Sequence, residues 1–326
     1  MQLATIIVVT YNSARWLQRQ RAALEAQTET RFHLVVLDNA SKGNQRPTAE
    51  TLPDGADLIQ SEINLGFAEG NNVGARGARS PYLVFLNPDA LPAPDWLAVL
   101  IDTAERHPDA VAVGSTQVRL DSEHLFDGTG DVLHASGLAY GSNFGKPRVA
   151  APPLGETFSA CAAAMLVRRD AFEAVGGFDA RYFCYFEDVD LGFRLRLDGG
   201  RILQSPDAIV AHAGGGATTG TAFAGFHGAR NRTWTFFKCM PAPLFWFMLP
   251  AHLVACALAA TASLIAGRGI AAWRGFLTAL FTLGPILKTR HDLQRVRVTS
   301  TRDVAEALAW SPHLFFGRKP FIRPLD

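Results

Sequence analysis

Three carboxylates, Glu187, Asp188 and Asp190, lie within four residues and directly follow an aromatic-rich stretch. They are predicted to open a helix over residues 187–198, where the helix dipole tolerates negative charge. Like charges crowded against aromatic rings raise the pKa of at least one carboxyl group, as a general base requires. A purely structural helix start, with Asp190 paired to Arg194 one turn later, explains Asp190 but not the other two.

Polar residues also follow three predicted β-strands, at the points where the strands end. Asp89, beside a proline-rigid turn, is suited to hold a hard divalent cation that binds a diphosphate. Asp38 is suited to accept the imide N–H of a pyrimidine base. Taken alone, each carboxylate is also typical of ordinary turn chemistry. The three polar groups are Thr10-Tyr11-Asn12, Asp38-Asn39 and Asn87-Pro88-Asp89.

Later in the chain, a histidine and two arginines are further candidates. His212 ends a short apolar run, where it is either a structural residue or a ligand. Arg230 and Arg232 stand just before a long uncharged segment. The planar guanidinium group of arginine is suited to bind phosphate, although arginines that border a membrane also cluster beside an uncharged segment.

The elements that must position these residues alternate between strand and helix in the first 115 residues. This spacing is typical of βαβ units and predicts an α/β fold, with a mainly parallel sheet and helices on both faces. Such sheets bind ligands at the carboxyl ends of their strands, where the polar groups lie. Residues 119–160 are predicted to form loops and short antiparallel strands. The predicted strands are 4–9, 33–37, 57–60, 82–86, 111–114 and 209–212, and the predicted helices are 13–27, 69–78, 95–106, 169–175 and 187–198.

The C-terminal part differs in composition. Residues 239–267 are 29 consecutive residues without Asp, Glu, Lys or Arg. Residues 267–326 then hold ten Lys or Arg and four acids, net +6, which leaves residues 1–266 at net −5 for a total of +1. Interfacial or re-entrant helices, a membrane span and a buried soluble helix all remain open for the uncharged segment. The basic tail is expected to face an anionic surface, unless it is simply solvated.

Composition excludes several classes of protein. The 326 residues are 48% apolar and 19% charged, which excludes a disordered chain. A net charge of +1 argues against nucleic-acid binding. Four cysteines without close spacing argue against a disulfide scaffold and fit a reducing compartment. The sequence motifs of dinucleotide, P-loop, zincin and serine-hydrolase sites do not occur.

Taken in order, the motifs resemble those of the inverting family 2 glycosyltransferases over about residues 3–240. The later motifs are similar to the rhamnosyltransferase-like branch of that family. One departure is that Asn-Pro-Asp lacks the first aspartate of the fuller Asp-x-Asp metal motif. The early motifs are Val8-Val9-Thr10-Tyr11-Asn12, Leu37-Asp38-Asn39-Ala40-Ser41, Asn64-Leu65-Gly66-Phe67-Ala68 with Asn71-Asn72, and Asn87-Pro88-Asp89; the later ones are Gly176-Gly177-Phe178-Asp179, Phe186-Glu187-Asp188-Val189-Asp190-Leu191, His212 and Arg230-Asn231-Arg232.

The resemblance implies a GT-A fold over residues 1–238, with a nucleotide-sugar-binding half (1–115) and an acceptor-binding half (116–238), followed by a membrane-associating helical tail (239–326). It implies Asp188 as the general base with Glu187 beside it, and Mg²⁺ or Mn²⁺ held by Asp89, with His212 as a further ligand. One base and no enzyme nucleophile imply a single displacement and inversion. The donor-binding residues implied are Thr10, Tyr11, Asn12, Asp38, Asn39, Gly66, Asn72, Asn87, Asp89, Arg230 and Arg232.

The leading interpretation is therefore a transferase that moves a sugar, rhamnose among the candidates, from a nucleoside-diphosphate sugar to a lipid-linked or cell-surface glycan. It would work at the cytoplasmic face of the plasma membrane. A sugar nucleotidyltransferase is an alternative, but it would want a glycine-rich, arginine-containing loop after the first strand. A membrane-docked protein that only binds nucleotide is a second alternative, which the carboxylate trio supports poorly.

Overall fold

A computed structural model of the chain describes residues 2–150, 152–214 and 221–325. Strands and helices alternate through the first half, and helices dominate the end. The strands are β1 (Ala4–Thr10), β2 (Phe32–Asn39), β3 (Asp57–Ser61), β4 (Tyr82–Leu86), β5 (Ala90–Pro92), β6 (Ala110–Arg119), β7 (Ser122–Gly128), β8 (Asp131–Leu133), β9 (Ala139–Gly141), β10 (Gly155–Glu156), β11 (Ala164–Arg168) and β12 (Arg201–His212). The helices are α1 (Ala14–Glu25), α2 (Gly66–Ala75), α3 (Trp96–Arg106), α4 (Arg169–Ala174), α5 (Glu187–Leu197), α6 (Ala222–Cys239), α7 (Ala242–Ile265), α8 (Ala271–Phe281), α9 (Leu283–Val296), α10 (Thr301–Ala307) and α11 (Pro312–Phe316).

One large sheet organises the molecule, with strand order β10-β12-β6-β11-β4-β1-β2-β3. Strands β3, β2, β1 and β4 are parallel, and β12 also runs parallel to β6. All seven residues of β1 and all five of β4 are buried, because helices cover both faces. The predicted α/β class with a mainly parallel sheet is confirmed, and every strand predicted in the first 115 residues is present.

The sequence did not reveal β11, which lies in the middle of the sheet. It runs antiparallel to both neighbours, with Met165 opposite Phe85 of β4 and Gly114 of β6. Its apolar run, AMLVR, continues directly into α4 with no turn residue between them, so the sequence did not mark it as a separate strand. The strand predicted at 209–212 is also longer, since β12 begins at Arg201 and continues through an irregularity after Gln204. The acceptor-side half is therefore joined to the nucleotide-side half by one continuous sheet.

Alternating side chains of β1 supply the two cores. Ile6 and Val8 pack with α1 and α3 on one face. Ile7 packs on the other face with α2, α4 and α5. Helix α2 lies so close to β1 that a Cβ on Gly74 would stand 2.6 Å from the Ile7 side chain. The close approach therefore requires glycine at this position, and this packing holds the last turn of α2 against the middle of β1.

Helices α5 to α10 share a third core. Phe193 of α5, Phe236 of α6, Phe245 of α7 and Val304 of α10 belong to the same buried cluster. Helix α7 is continuous through Pro250, and by length and composition alone it is the one described helix able to cross a membrane. The tail is therefore helical, as expected, and it packs directly against the acceptor-side half.

Candidate active site

A cleft of about 760 Å³ lies at the carboxyl ends of the parallel strands. Two of the three strand ends that the sequence singled out, those of β1 and β4, meet here at one edge of the sheet. The lining residues come from the β1–α1 junction, the β4–β5 turn, the β6–β7 turn and the segment after β12. They are Val9, Tyr11, Asn12, Ser13, Arg15, Trp16, Arg19, Phe67, Asn87, Pro88, Asp89, Leu120, Asp121, Ala213 and Gly214.

Asp89 and His212 face each other at this cleft. His212 Nε2 lies 3.3 Å from Asp89 Oδ1, and His212 Nδ1 lies 2.8 Å from Asp127 Oδ2. Burial alone would lower the pKa of His212, but the hydrogen bonds to Asp127 and Asp89 outweigh it and raise the pKa to about 9. Burial would likewise raise the pKa of Asp89, but its hydrogen bond to His212 prevails and lowers it. The sequence did not single out Asp127, whose only signal was a carboxylate in a loop-like, glycine-rich stretch.

Asp38 and Thr10 stand side by side at the ends of β2 and β1. The Asp38 side chain is fully buried, and its Oδ1 accepts a hydrogen bond from the backbone N–H of Ser41 at 3.2 Å. Its Oδ2 and the Thr10 hydroxyl have no hydrogen-bond partner among the described residues, and Arg46 Nε lies 3.7 Å from Oδ2. Buried polar atoms are usually satisfied, so this pair marks a place where a ligand can supply the missing donor.

Asn12 and Asn39 brace the loops beside the cleft. Asn12, at φ 52°, donates its backbone N–H to Ser41 Oγ, and its side-chain oxygen accepts from Lys42 N. The Asn39 side-chain oxygen accepts a hydrogen bond from the Leu65 backbone N–H at 2.6 Å, and its side-chain nitrogen donates to the Gly66 carbonyl at 3.0 Å. Gly66 has φ +80°, and a Cβ there would stand 2.6 Å from Phe183. These predicted donor-site residues thus position the site through the backbone.

The carboxylates at the start of α5 occupy different surroundings. Asp188 accepts hydrogen bonds from the backbone N–H groups of Val189 at 2.8 Å and Ala162 at 3.3 Å. Burial raises the pKa of Asp188, and the two backbone hydrogen bonds offset only part of this rise. Glu187 is buried, and burial together with the charge of Asp188 raises its pKa well above the usual value. One of its oxygens, Oε2, lacks a described partner.

Asp190 has a structural role. Arg194 Nε lies 2.8 Å from its Oδ2, and Lys238 Nζ lies 2.6 Å from its Oδ1. The Tyr182 hydroxyl donates to the same carboxylate at 3.0 Å. The predicted Asp190–Arg194 pair is therefore confirmed, and Lys238 ties α5 to α6.

Asp131 and Cys161 form, with Asp188, a half-buried cluster of ionisable groups that sequence reasoning missed. The Ser159 hydroxyl donates to Asp131 Oδ2 at 3.2 Å. Burial and then the charge of Asp188 raise the pKa of Asp131 well above its usual value. Burial and the two carboxylates together raise the pKa of the Cys161 thiol, which keeps it protonated. The three groups come from separate segments, so no spacing in the sequence could reveal them.

The segment before α5 has an unusual backbone. Phe183, Tyr185 and Phe186 have φ values of 65°, 67° and 70°, a region that side-chain-bearing residues rarely adopt. The Phe183 carbonyl accepts from the backbone N–H groups of Phe67 and Ala68 at the start of α2. Since Phe67 lines the cleft, the carboxylate-bearing segment is anchored directly to the donor side.

Seven of the predicted donor-site residues do not line the cleft: Thr10, Asp38, Asn39 and Gly66, described above, and Asn72, Arg230 and Arg232. Asn72 is engaged at both ends with the Phe178 backbone, its Oδ1 accepting at 2.9 Å and its Nδ2 donating at 2.8 Å. Arg230 stacks over Trp234 at 4.4 Å and donates to the carbonyls of Arg181 and Tyr182. Arg232 also lies on α6, and its Nε has no partner among the described residues. Asn72 and Arg230 are held by backbone carbonyls and amides, which explains why they do not reach the cleft.

The fold and the site together define the class. A parallel nucleotide-binding half, a strand-end cleft with an acidic turn, and buried carboxylates on the opposite half are the parts of a GT-A glycosyltransferase. The chain belongs to glycosyl transferase family 2, whose family model matches residues 5–176.

Relatives of known name support the same conclusion. The chain is 32% identical over 235 residues to an N-acetylglucosaminyl-diphospho-decaprenol L-rhamnosyltransferase of Mycobacterium tuberculosis, covering 64% of this chain and 75% of that protein. It is 28% identical over 223 residues to a rhamnosyltransferase of Escherichia coli (strain K12), covering 64% and 82%. A mannosyltransferase of Pyrobaculum calidifontis, solved with GDP-Man and Mn²⁺, shares the fold with a TM-score of 0.55 at 22% identity, covering 89% and 84%.

Proposed function

We propose that this glycosyltransferase moves a deoxyhexose such as rhamnose from a nucleoside-diphosphate sugar to a hydroxyl group of a lipid-linked glycan, with inversion at the anomeric carbon. Both rhamnosyltransferase relatives support the sugar, and the mycobacterial relative's acceptor is named as a diphospholipid. The observation that carries the chemistry is Asp188, a half-buried carboxylate with a raised pKa at the start of α5.

The reaction follows from the carboxylate's role as a general base. Asp188 accepts the proton of the acceptor hydroxyl while that oxygen attacks the anomeric carbon. The bond from that carbon to the diphosphate breaks, and the nucleoside diphosphate leaves with the bonding electrons. A single displacement needs no enzyme nucleophile and inverts the anomeric configuration. Glu187 lies beside the base, and burial together with the charge of Asp188 raises the pKa of Glu187.

The cleft residues fit a divalent cation. Asp89 and His212 present an oxygen and a nitrogen 3.3 Å apart, and the other imidazole nitrogen bonds to Asp127, as in most ligand histidines. The described residues include no cluster of three metal-ligating side chains, so diphosphate oxygens would complete the ligand set. When bound, the cation neutralises charge on the leaving diphosphate. The cation would be Mg²⁺ or Mn²⁺, which both accept carboxylate and phosphate oxygens.

The nucleotide-binding half supports a pyrimidine donor, such as a dTDP- or UDP-sugar. The unpaired Asp38 Oδ2 is an acceptor at the buried end of β2. An imide N–H is a single donor of the kind this atom lacks. Thr10, next to it, offers a hydroxyl that can serve as donor or acceptor. A pyrimidine would thus satisfy two buried groups that the protein alone leaves unpaired.

The tail supports peripheral docking on the cytoplasmic face of the membrane. One face of α7 is buried against the body and includes Met248, His252 and Cys256. On the other side, Trp246 and Phe247 are 70% and 73% exposed. His252 bonds to the Ser136 carbonyl at 2.8 Å and stacks on Phe236 at 4.0 Å. These contacts along the body favour a helix that lies on the bilayer over one that crosses it.

The exposed apolar surface continues past α7 and is flanked by positive charge. Ile270, Leu277 and Phe281 extend it along α8. Arg268, Arg274 and Lys288 are exposed around it, which suits anionic headgroups. We propose residues 1–238 as the catalytic unit, with donor-side (1–115) and acceptor-side (116–238) halves, and residues 239–326 as the membrane-associating part.

The test is transfer by the full chain from dTDP-, UDP- and GDP-sugars to a diphospholipid-linked glycan, with product configuration read by NMR. We expect dTDP-rhamnose to be used best and the product to be inverted. Asp188→Asn keeps the shape and removes the proton acceptor, so kcat should fall about 10²–10⁴-fold. Retention of configuration, or full activity of Asp188→Asn, would contradict the mechanism. Glu187→Gln is the matched variant and should lose less.

A further inference from the structure

Two arginines of α1 face the cleft, and neither was singled out by the sequence motifs. Arg15 and Arg19 are one helical turn apart, so they project from the same side of α1. Their guanidinium carbons lie 5.2 and 5.3 Å from the ring centre of Trp16, which also lines the cleft. Stacking on one indole holds the two cations together beside the opening.

The charges at this cleft are not balanced. Its two carboxylates are already paired: Asp89 with His212, and Asp121 with Arg119 at 2.6 Å. Within the described part of the chain, neither Arg15 nor Arg19 has a carboxylate at ion-pair distance. Two arginines without counter-ions at a concave site attract an anionic ligand, and their planar forks match phosphate oxygens.

The position of Arg15 and Arg19 relative to Asp89 indicates which anionic ligand they bind. The positive charge of Arg15 is among the causes that lower the pKa of Asp89, so the two side chains lie within electrostatic range. Asp89 is the residue proposed to hold the cation on the donor diphosphate. An anion bound by Arg15 would lie next to that cation.

A third arginine of the same helix differs from these two. Arg21 Nε lies 2.7 Å from Glu25 Oε1, and its Nη1 donates to the Glu50 carbonyl at 3.0 Å. It does not line the cleft. Arg21 therefore serves as a control with the same chemistry on the same helix.

We propose that Arg15 and Arg19, with Trp16 between them, bind the diphosphate of the nucleotide-sugar donor. This inference rests on the proposed function, since it assigns further residues to the same cleft. The same chemistry would also suit the diphosphate of a lipid-linked acceptor. The nearness of Arg15 to Asp89 favours the donor, and the experiment separates the two sources.

The experiment is calorimetry of the full chain with Mn²⁺ and three probes: dTDP, dTMP and thymidine. We expect Arg15→Gln and Arg19→Gln each to raise the Kd for dTDP about tenfold. The effect should be smaller for dTMP and absent for thymidine, because the phosphates make the contact. Arg21→Gln should bind all three as wild type does. Each variant should also show a weaker dependence of dTDP binding on salt.

The outcomes separate this inference from the proposed function. If wild type binds dTDP and both variants bind it equally well, the inference is overturned while the proposed function stands. If dTDP does not bind wild type, UDP and GDP replace it as the diphosphate probe for all variants; if all three fail to bind wild type, the proposed function itself fails. If the variants keep the dTDP affinity but raise the KM for a diphospholipid acceptor, the assignment to the donor is overturned. Unliganded melting temperatures near wild type, expected for exposed side chains, confirm that binding and not folding is measured.

Discussion

The side-chain nitrogen of Asn231 lies 2.6 Å from the carbonyl oxygen of Tyr185, two residues before Glu187. The same nitrogen lies 2.9 Å from the carbonyls of Tyr182 and Cys184. Asn231 is fully buried on α6, so one amide group holds three carbonyls of the left-handed segment that leads into α5. The placement of the candidate base therefore depends on a residue some 40 positions later in the chain.

Replacing Asn231 should separate positioning from binding. Asn231→Asp keeps the shape but turns the donor into an acceptor opposite three carbonyls, so the segment should relax. We expect kcat to fall about tenfold or more, while the Kd for donor nucleotide stays near wild type. Thr233→Val, on the same helix with its hydroxyl bonded to the Ala229 carbonyl, is the control and should leave kcat unchanged. Normal kcat in a folded Asn231→Asp variant would show that the segment positions itself.

Asp190→Asn should affect stability more than catalysis. It removes the charge that pairs with Arg194 and Lys238, both buried. Loss of one partner in a buried ion pair costs about 3–5 kcal/mol of unfolding free energy. Denaturant unfolding should show this loss, and donor affinity in the surviving folded protein should be unchanged. A variant as stable as wild type but inactive would instead place Asp190 in the chemistry.

We expect Asp131 to shift the acidic limb of the pH profile of kcat/KM. The charge of Asp188 raises the pKa of Asp131, and the repulsion is mutual. Asp131→Asn should lower the pKa of Asp188, and kcat/KM should reach its plateau about one pH unit lower. Ser159→Ala removes a hydrogen bond to Asp131 but no charge, so it is the matched control.

The same substitution has a predictable effect on stability. Because the folded-state pKa of Asp131 is raised, its contribution to stability is fully present below about pH 4 and is lost as pH rises through the raised value. Asp131→Asn should therefore gain stability relative to wild type between acidic and neutral pH in denaturant titrations. An unshifted acidic limb together with unchanged stability would contradict the proximity of the two charges.

The nucleotide-side half was predictable because its signals are local. Short apolar runs give strands such as β1 and β4, and the polar residues after them meet because parallel strands end at one edge. The acceptor-side half was less predictable because its key contacts are long-range. Asp131 with Asp188, Asp127 with His212, and Asn231 with the segment before α5 join residues 46 to 85 positions apart. No spacing or period in the sequence encodes such pairs.

Asp89 should matter for donor binding through a cation. Asp89→Ala removes an oxygen ligand and leaves His212 paired only with Asp127. We expect the donor Kd and the turnover both to worsen, and EDTA to do the same to wild type. Mn²⁺ should restore the EDTA-treated enzyme but not the variant. Asp121→Ala, which removes the other carboxylate of the cleft, is the control. Full activity of wild type in EDTA would leave Asp89 as a partner of His212 only.

The exposed face of α7 should determine membrane binding. Trp246 and Phe247 project from the side opposite the buried His252 stripe, so replacing both with Ser should remove contact area without disturbing the core. Each of the two substitutions should weaken binding to phosphatidylglycerol vesicles by about 1.5 kcal/mol, or about tenfold. Ile63→Ser changes a 67% exposed apolar residue on the donor side and should bind as wild type does. High salt should release part of the bound protein, because contacts from Arg268, Arg274 and Lys288 are screened.

A helix that lies on the bilayer is also released by alkaline carbonate, whereas one that spans it is retained. Retention would mean that α7 leaves the body on binding, and His252→Ala, which weakens its attachment to Ser136 and Phe236, would then promote insertion.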